Sequence, residues 1–136
     1  MTKKLTTIIQ LFRPLNFLIT FLSVIVAAVI CLPDHTIELN IFLAALSASL
    51  VMASGNILND IYDIEIDKIN KPLRPLPSGK ITIKEAYGLY LFFIIVSVVL
   101  SLLVNQGALI IVLISIHLLF LYSKYLKRIP LVGNII

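Results

Sequence analysis

This sequence is poor in charge. Only 13% of its 136 residues are Asp, Glu, Lys or Arg, against about 25% in ordinary soluble domains. Cysteine occurs once, which excludes an intrachain disulfide framework. Cys31 ends an apolar run and is expected to be a small buried hydrophobe. Acids number seven, with no Asp after Asp67 and neither acid after Glu85. What fills the space is hydrocarbon: the chain is 60% hydrophobic with a mean hydropathy of +1.06. That exceeds what a globular core and its surface can use, so the chain is expected to be an integral membrane protein.

Four apolar runs predict an all-α, multi-pass transmembrane helix bundle. They extend over about 15–32, 39–57, 87–104 and 108–122. A helix needs roughly 20 residues to cross the hydrocarbon, so the fourth run is long enough only if Asn105 and Gln106 lie at the interface. Lys3, Lys4 and Arg13 ahead of the first run would also suit a signal peptide. No small-residue cleavage site follows, however, and Pro33 leads straight into another span.

The bases set the orientation. All eleven precede the first run, lie between the second and third, or follow the fourth; the loops Pro33–Glu38 and Asn105–Gly107 carry none. By the positive-inside rule both termini and the long middle loop face the cytoplasm, as in a multi-pass protein of the cell membrane. The net charge of +4 is then a basic rim beside membrane lipid and requires no nucleic acid.

Against this background the acids are crowded. On a helix turning about 100° per residue from Asn59, Asn56 falls at about 60°, Asp60 at about 100°, Asp63 at about 40° and Asp67 at about 80°. Ile57, Ile61 and Ile64 point elsewhere. Water-facing acids at an interfacial helix end are the plainer arrangement. Yet like charges one turn apart repel, and a helix C-terminus disfavours carboxylates. A divalent cation removes both penalties, and Mg²⁺ commonly bridges carboxylates to substrate phosphates. The following loop has Pro72, Pro75 and Pro77, so it cannot continue the helix, and it offers Lys71, Arg74 and Lys80 to an anion. Arg74, between two prolines, is the preferred phosphate contact; Lys80 and Lys84 read as solvated.

These residues carry a resemblance. Asn59-Asp60-x-x-Asp63-x-x-x-Asp67 followed by Asn70-Lys71-Pro72-x-Arg74-Pro75-x-Pro77-Ser78-Gly79 resembles the first Asp-rich motif of the UbiA superfamily of intramembrane prenyltransferases. Arg13-Pro14-Leu15-Asn16 is similar to that family's amino-terminal signature, and Tyr122 to Arg128 to its Tyr/Lys motif. Within the superfamily the wording is most similar to digeranylgeranylglyceryl phosphate synthases. The resemblance implies a nine-helix fold and an Mg²⁺-dependent transfer from a prenyl diphosphate to a lipid or aromatic acceptor, with geranylgeranylglyceryl phosphate a candidate. It casts Asn59, Asp63 and Asp67, with Asp60 assisting, as catalytic metal ligands. Arg74, Lys71, Arg13, Asn16, Tyr122 and Lys127 become substrate contacts; Asn16 suits a helix-end partner equally well.

The chain departs from the family in two ways. The second Asp-rich motif is missing, and Lys127 stands five rather than four residues after Tyr122. The apolar run from Leu131 to Ile136 reads as the start of a fifth helix, so residues 1–136 are expected to be the amino-terminal part of one UbiA-type domain and inactive alone. The competing class is a non-catalytic membrane module or a cation-binding transporter half. Acids at the membrane surface, rather than at midplane on broken helices, argue against it. His117 within the fourth run is expected to hydrogen-bond between helices, Asp34 and His35 to face solvent, and Tyr87, Tyr90, Phe92 and Phe93 to form an interfacial belt and packing surface.

Overall fold

The computed structural model describes residues 2–32 and 38–128, and every element among them is helical. In chain order these are α1 (Thr2–Phe12), α2 (Pro14–Cys31), α3 (Leu39–Tyr62), α4 (Ile64–Asn70), α5 (Ile83–Val104) and α6 (Gln106–Lys124), then a 3₁₀ turn at Leu126–Arg128. The loop residues Asp34 and His35 and the run from Leu131 lie outside the described residues. α2, α3, α5 and α6 are long and apolar enough to cross a membrane.

The helices outrun the expected spans at their polar ends, each for a local reason. α5 starts at Ile83 because Thr82 caps it: the Thr82 hydroxyl accepts from the Glu85 amide (3.2 Å) while Glu85 accepts from the Thr82 amide (2.9 Å). α6 starts at Gln106 because the Asn105 side chain accepts from the Ala108 amide at 2.8 Å. α3 carries on past Ile57 to Tyr62, since nothing in Leu58 to Tyr62 breaks a helix. α1 has no counterpart among the expected spans. Leu5, Ile8, Ile9 and Phe12 recur at helical spacing, and Lys4 pairs with Glu85 of α5 at 2.6 Å.

α3 is the axis of the bundle, with α2, α5 and α6 packed around it. Small residues make that possible. Ala45, Ser47, Ser49, Ala53, Ser54 and Gly55 are all buried, so neighbouring backbones come close. A methyl at Gly55 would stand 3.0 Å from Leu119 Cδ1 of α6. The Ser47 hydroxyl donates to the Ser97 carbonyl of α5 at 2.8 Å. The outer faces are hydrocarbon, including Leu18, Ile19, Val26, Phe92, Ile95, Ile110 and Ile114. Such faces suit lipid rather than water. Two expectations fail here. α2 buries none of its residues, so Cys31 is exposed rather than buried. His117 is exposed on α6 rather than set between helices, because it falls on that helix's outer side.

At one end a tight apolar cluster joins separate elements. Leu11 of α1, Ile57 and Ile61 of α3, Leu76 and Ile81 of the loop and Ala86 of α5 are buried together, with Tyr90 and Phe93 packed against them. Phe93 also meets Phe12 edge-on at 5.9 Å, whereas Phe92 is exposed. Leu76 therefore anchors the Pro-rich loop, and turns fold it back on itself: the Ser78 amide donates to the Arg74 carbonyl and the Lys80 amide to that of Pro75, each at 3.0 Å. Gly79, at φ 70°, supplies the left-handed residue that this reversal requires.

Candidate active site

The acids stand on the last turns of α3 and on α4, directly over that apolar cluster. The helix is interrupted once among them. Asp63 (φ −97°, ψ 6°) closes α3 and opens α4, although the Asp63 amide still reaches the Asn59 carbonyl (2.9 Å) and the Asp67 amide that of Asp63 (2.8 Å). Asp63 and Asp67 still share one cavity wall, yet the carboxylates divide between two sets of partners.

Asp60 and Asp67 form the first set. Both are buried, at 4% and 5% exposure. Asp60 Oδ1 accepts from Arg13 at 2.5 Å and from Arg74 at 3.2 Å, and the same Arg74 Nη1 donates to Asp67 Oδ2 at 2.6 Å. Arg13 reaches inward from a costly backbone position. It lies between α1 and α2 at φ 53°, the one non-glycine with positive φ among the described residues. A conformation of that kind costs about 1–3 kcal/mol and persists only where surrounding contacts hold it. The second set is Asp63 and Asn59, both reached by Lys127 Nζ from the turn after α6, at 2.6 Å and 3.4 Å. The Asp63 side chain is 30% exposed.

The mutual repulsion that the sequence implied is therefore met by the chain's own cations. Arg74, expected to touch substrate, here bridges two carboxylates. Among the described residues no three His, Cys, Asp or Glu side chains are grouped so as to hold a metal ion. The donor chemistry nonetheless fits a hard divalent cation: the carboxylates of Asp60, Asp63 and Asp67 and the Asn59 amide oxygen stand on adjoining turns, each in contact with a side-chain cation.

Two cavities open beside these pairs. One, of about 490 Å³, is lined by Gln10, Arg13, Asp60, Asn70, Lys71 and Arg74 among others. The other, of about 330 Å³, has Asp63, Asp67, Asn70, Lys71, Arg74 and Lys127 in its wall. They share Asn70, Lys71 and Arg74.

The model of the UbiA prenyltransferase family matches residues 17–136. The chain belongs to the UbiA prenyltransferase family. It is 42% identical over 127 residues to the digeranylgeranylglyceryl phosphate synthase of Sulfurisphaera tokodaii, covering 93% of this chain and 46% of that protein. With the enzyme of the same name from Methanococcoides burtonii it shares 52% identity over 85 residues, 62% of this chain and 30% of that protein. A solved structure of digeranylgeranylglyceryl phosphate synthase superposes with a TM-score of 0.90 at 42% identity, over 96% of this chain and 47% of that one. The chain spans about half the length of the curated relatives it matches. Family and apolar helices together make it an integral membrane protein of a generally metal-dependent class.

The UbiA chain thus brings together Asn59, Asp60, Asp63, Asp67, Arg13, Arg74 and Lys127 through contacts, and Lys71 through shared cavity walls. Asn16 and Tyr122 line neither polar cavity. Asn16 lies in the first turn of α2, where its carbonyl accepts from Thr20 (2.9 Å); Tyr122 lines an apolar cavity of about 580 Å³ with Val51, Met52, Val112 and Leu119. Among the polar lining residues Gln10 stands outside every motif, and Asn70 stands in the Asp-rich motif without a role assigned to it. Gln10 lies three residues before Arg13, and that helical spacing was the available signal.

Proposed function

We propose that residues 1–136 form the amino-terminal part of a UbiA-type domain that transfers a prenyl group from a prenyl diphosphate to a lipid acceptor. What supports the reading most is the convergence of Arg13, Arg74 and Lys127 on Asp60, Asp67 and Asp63 at one end of four apolar helices. Cations and carboxylates so interleaved can receive a polyanion together with a metal. Asn59, Asp63 and Asp67 would hold Mg²⁺, with Asp60 assisting from behind its two arginines, and the ion when bound would neutralise the diphosphate and ease its departure.

The chain's own residues do the rest. Arg74 and Lys127 leave their carboxylates for diphosphate oxygens, and the Arg74 fork offers two parallel donors. The allylic C–O bond breaks, an acceptor hydroxyl oxygen bonds to that carbon, its proton passes to solvent, and diphosphate leaves. Charge that develops on the leaving group is met by donors already in place, where one such donor is commonly worth about 10²–10³ in rate. The prenyl tail stays in apolar surroundings, which favours it by about 0.8 kcal/mol per CH₂. The names of the relatives favour geranylgeranylglyceryl phosphate as acceptor. The basic loops favour a cytoplasmic side for both termini and the Asp-rich end by the positive-inside rule.

The test is a chimera in which residues 1–136 replace the matching stretch of the Sulfurisphaera tokodaii relative. In membranes with Mg²⁺, geranylgeranyl diphosphate and geranylgeranylglyceryl phosphate it should form product, and the 136-residue chain alone should form none. A chimera that inserts stably and binds the donor, yet transfers to no acceptor, would refute the reading.

A further inference from the structure

The two polar cavities differ in charge. The smaller sets Lys71, Arg74 and Lys127 against two carboxylates, Asp63 and Asp67. An anion there would arrive with a metal ion to satisfy those acids. The larger sets Arg13, Lys71 and Arg74 against one carboxylate, Asp60, whose Oδ1 already accepts from both arginines. Its wall is rich in donors: two guanidinium groups, an ammonium and the amides of Gln10 and Asn70. Such a cavity suits an anion that brings no metal. A phosphate monoester, with about −1.5 to −2 charges at neutral pH, is such an anion.

We propose that the Arg13 cavity, between α1 and the Pro-rich loop, binds the phosphomonoester of the acceptor, apart from the cavity at Lys127 that takes the donor diphosphate. This rests on the prenyl-transfer reading above and adds which end of the site recognises which substrate. Two features favour it. Arg13 keeps a strained left-handed backbone while its guanidinium, paired with Asp60 and 32% exposed, remains on the cavity wall. Arg74 and Lys71 border both cavities, so two anionic headgroups would be held side by side, with the acceptor's glycerol hydroxyl within reach of the donor's allylic carbon.

The experiment uses the chain in lipid nanodiscs and reads binding, not turnover. The probes are an octyl ether of glycerol phosphate without metal and inorganic pyrophosphate with Mg²⁺, each titrated by calorimetry. Arg13→Gln should weaken the glycerol phosphate about tenfold and pyrophosphate less than twofold, as expected for one charge-assisted contact, and Arg13→Lys should recover part of the loss. Lys127→Met should do the reverse. Equal losses for both anions in Arg13→Gln would mean one shared site and overturn the proposal, as would wild-type chain that does not bind the glycerol phosphate. Failure of pyrophosphate alone to bind, with the glycerol phosphate behaving as stated, would sink the donor reading while supporting the Arg13 site. The partial recovery in Arg13→Lys guards against a misfolded Arg13→Gln.

Discussion

Asp60 with Asp67 and Asp63 with Asn59 stand within two turns of each other, yet they are held in opposite ways. The first two carboxylates are almost fully buried and are served by rigid, planar guanidinium groups, one of them bridging both. Asp63 is partly open and is served by a single flexible lysine from the far end of the described chain. Burial raises the cost of separating charges, and exposure lowers it. The difference teaches that one centre ties the loop, α1 and α3 together through two arginines, while the other rests on a single lysine.

The sharpest way to break that comparison is to remove the bridge. Arg74→Ala leaves Asp67 buried without its cation, and loss of one partner from such a pair costs about 3–5 kcal/mol. Thermal or denaturant unfolding in detergent should show it, and a loss below 1 kcal/mol would mean that Asp67 reaches water readily. Next in size is Asp63→Ala. In the chimera it should lower transfer about 10²–10³-fold, the scale expected for one electrostatic contributor, with little effect on stability because Asp63 is partly exposed. Asp60→Ala should cost more stability, and a reversal of that order would dissolve the distinction between the two centres.

Lys127→Met sharpens the comparison from the opposite side. It frees Asp63 and Asn59, so Mn²⁺, followed by electron paramagnetic resonance on the chain, should bind about tenfold more tightly than to the unaltered protein. Weaker Mn²⁺ binding would make Lys127 a support for the site instead of a competitor within it. A smaller effect is expected away from both centres. Gly55→Ala should destabilise by about 1 kcal/mol, since the new methyl meets only the movable end of Leu119. The smallest is Glu65→Gln, which breaks an exposed i,i+3 pair with Lys68 and should stay within about 0.5 kcal/mol.

The sequence by itself determined the medium, the number of apolar helices and where the carboxylates gather. Those properties are sums along the chain: runs of hydrocarbon, bases confined to alternate loops, and acids recurring every three or four residues between Asn59 and Asp67. Summation along a chain needs no knowledge of what lies across the fold. The resemblance also named Arg13, Arg74 and Lys127, residues as many as 114 positions apart by subtraction of their numbers, without stating which acid each would meet. Only the tertiary structure decided that. Asp63 meets Lys127 from the turn after α6, Arg13 at its left-handed backbone meets Asp60 of α3, and Leu76 in the apolar cluster anchors the loop whose Arg74 spans two acids. Cys31 and His117 were misread for the same reason. A helix pattern shows that a residue lies in an apolar run, but which side of the run is covered depends on neighbours that no local spacing records.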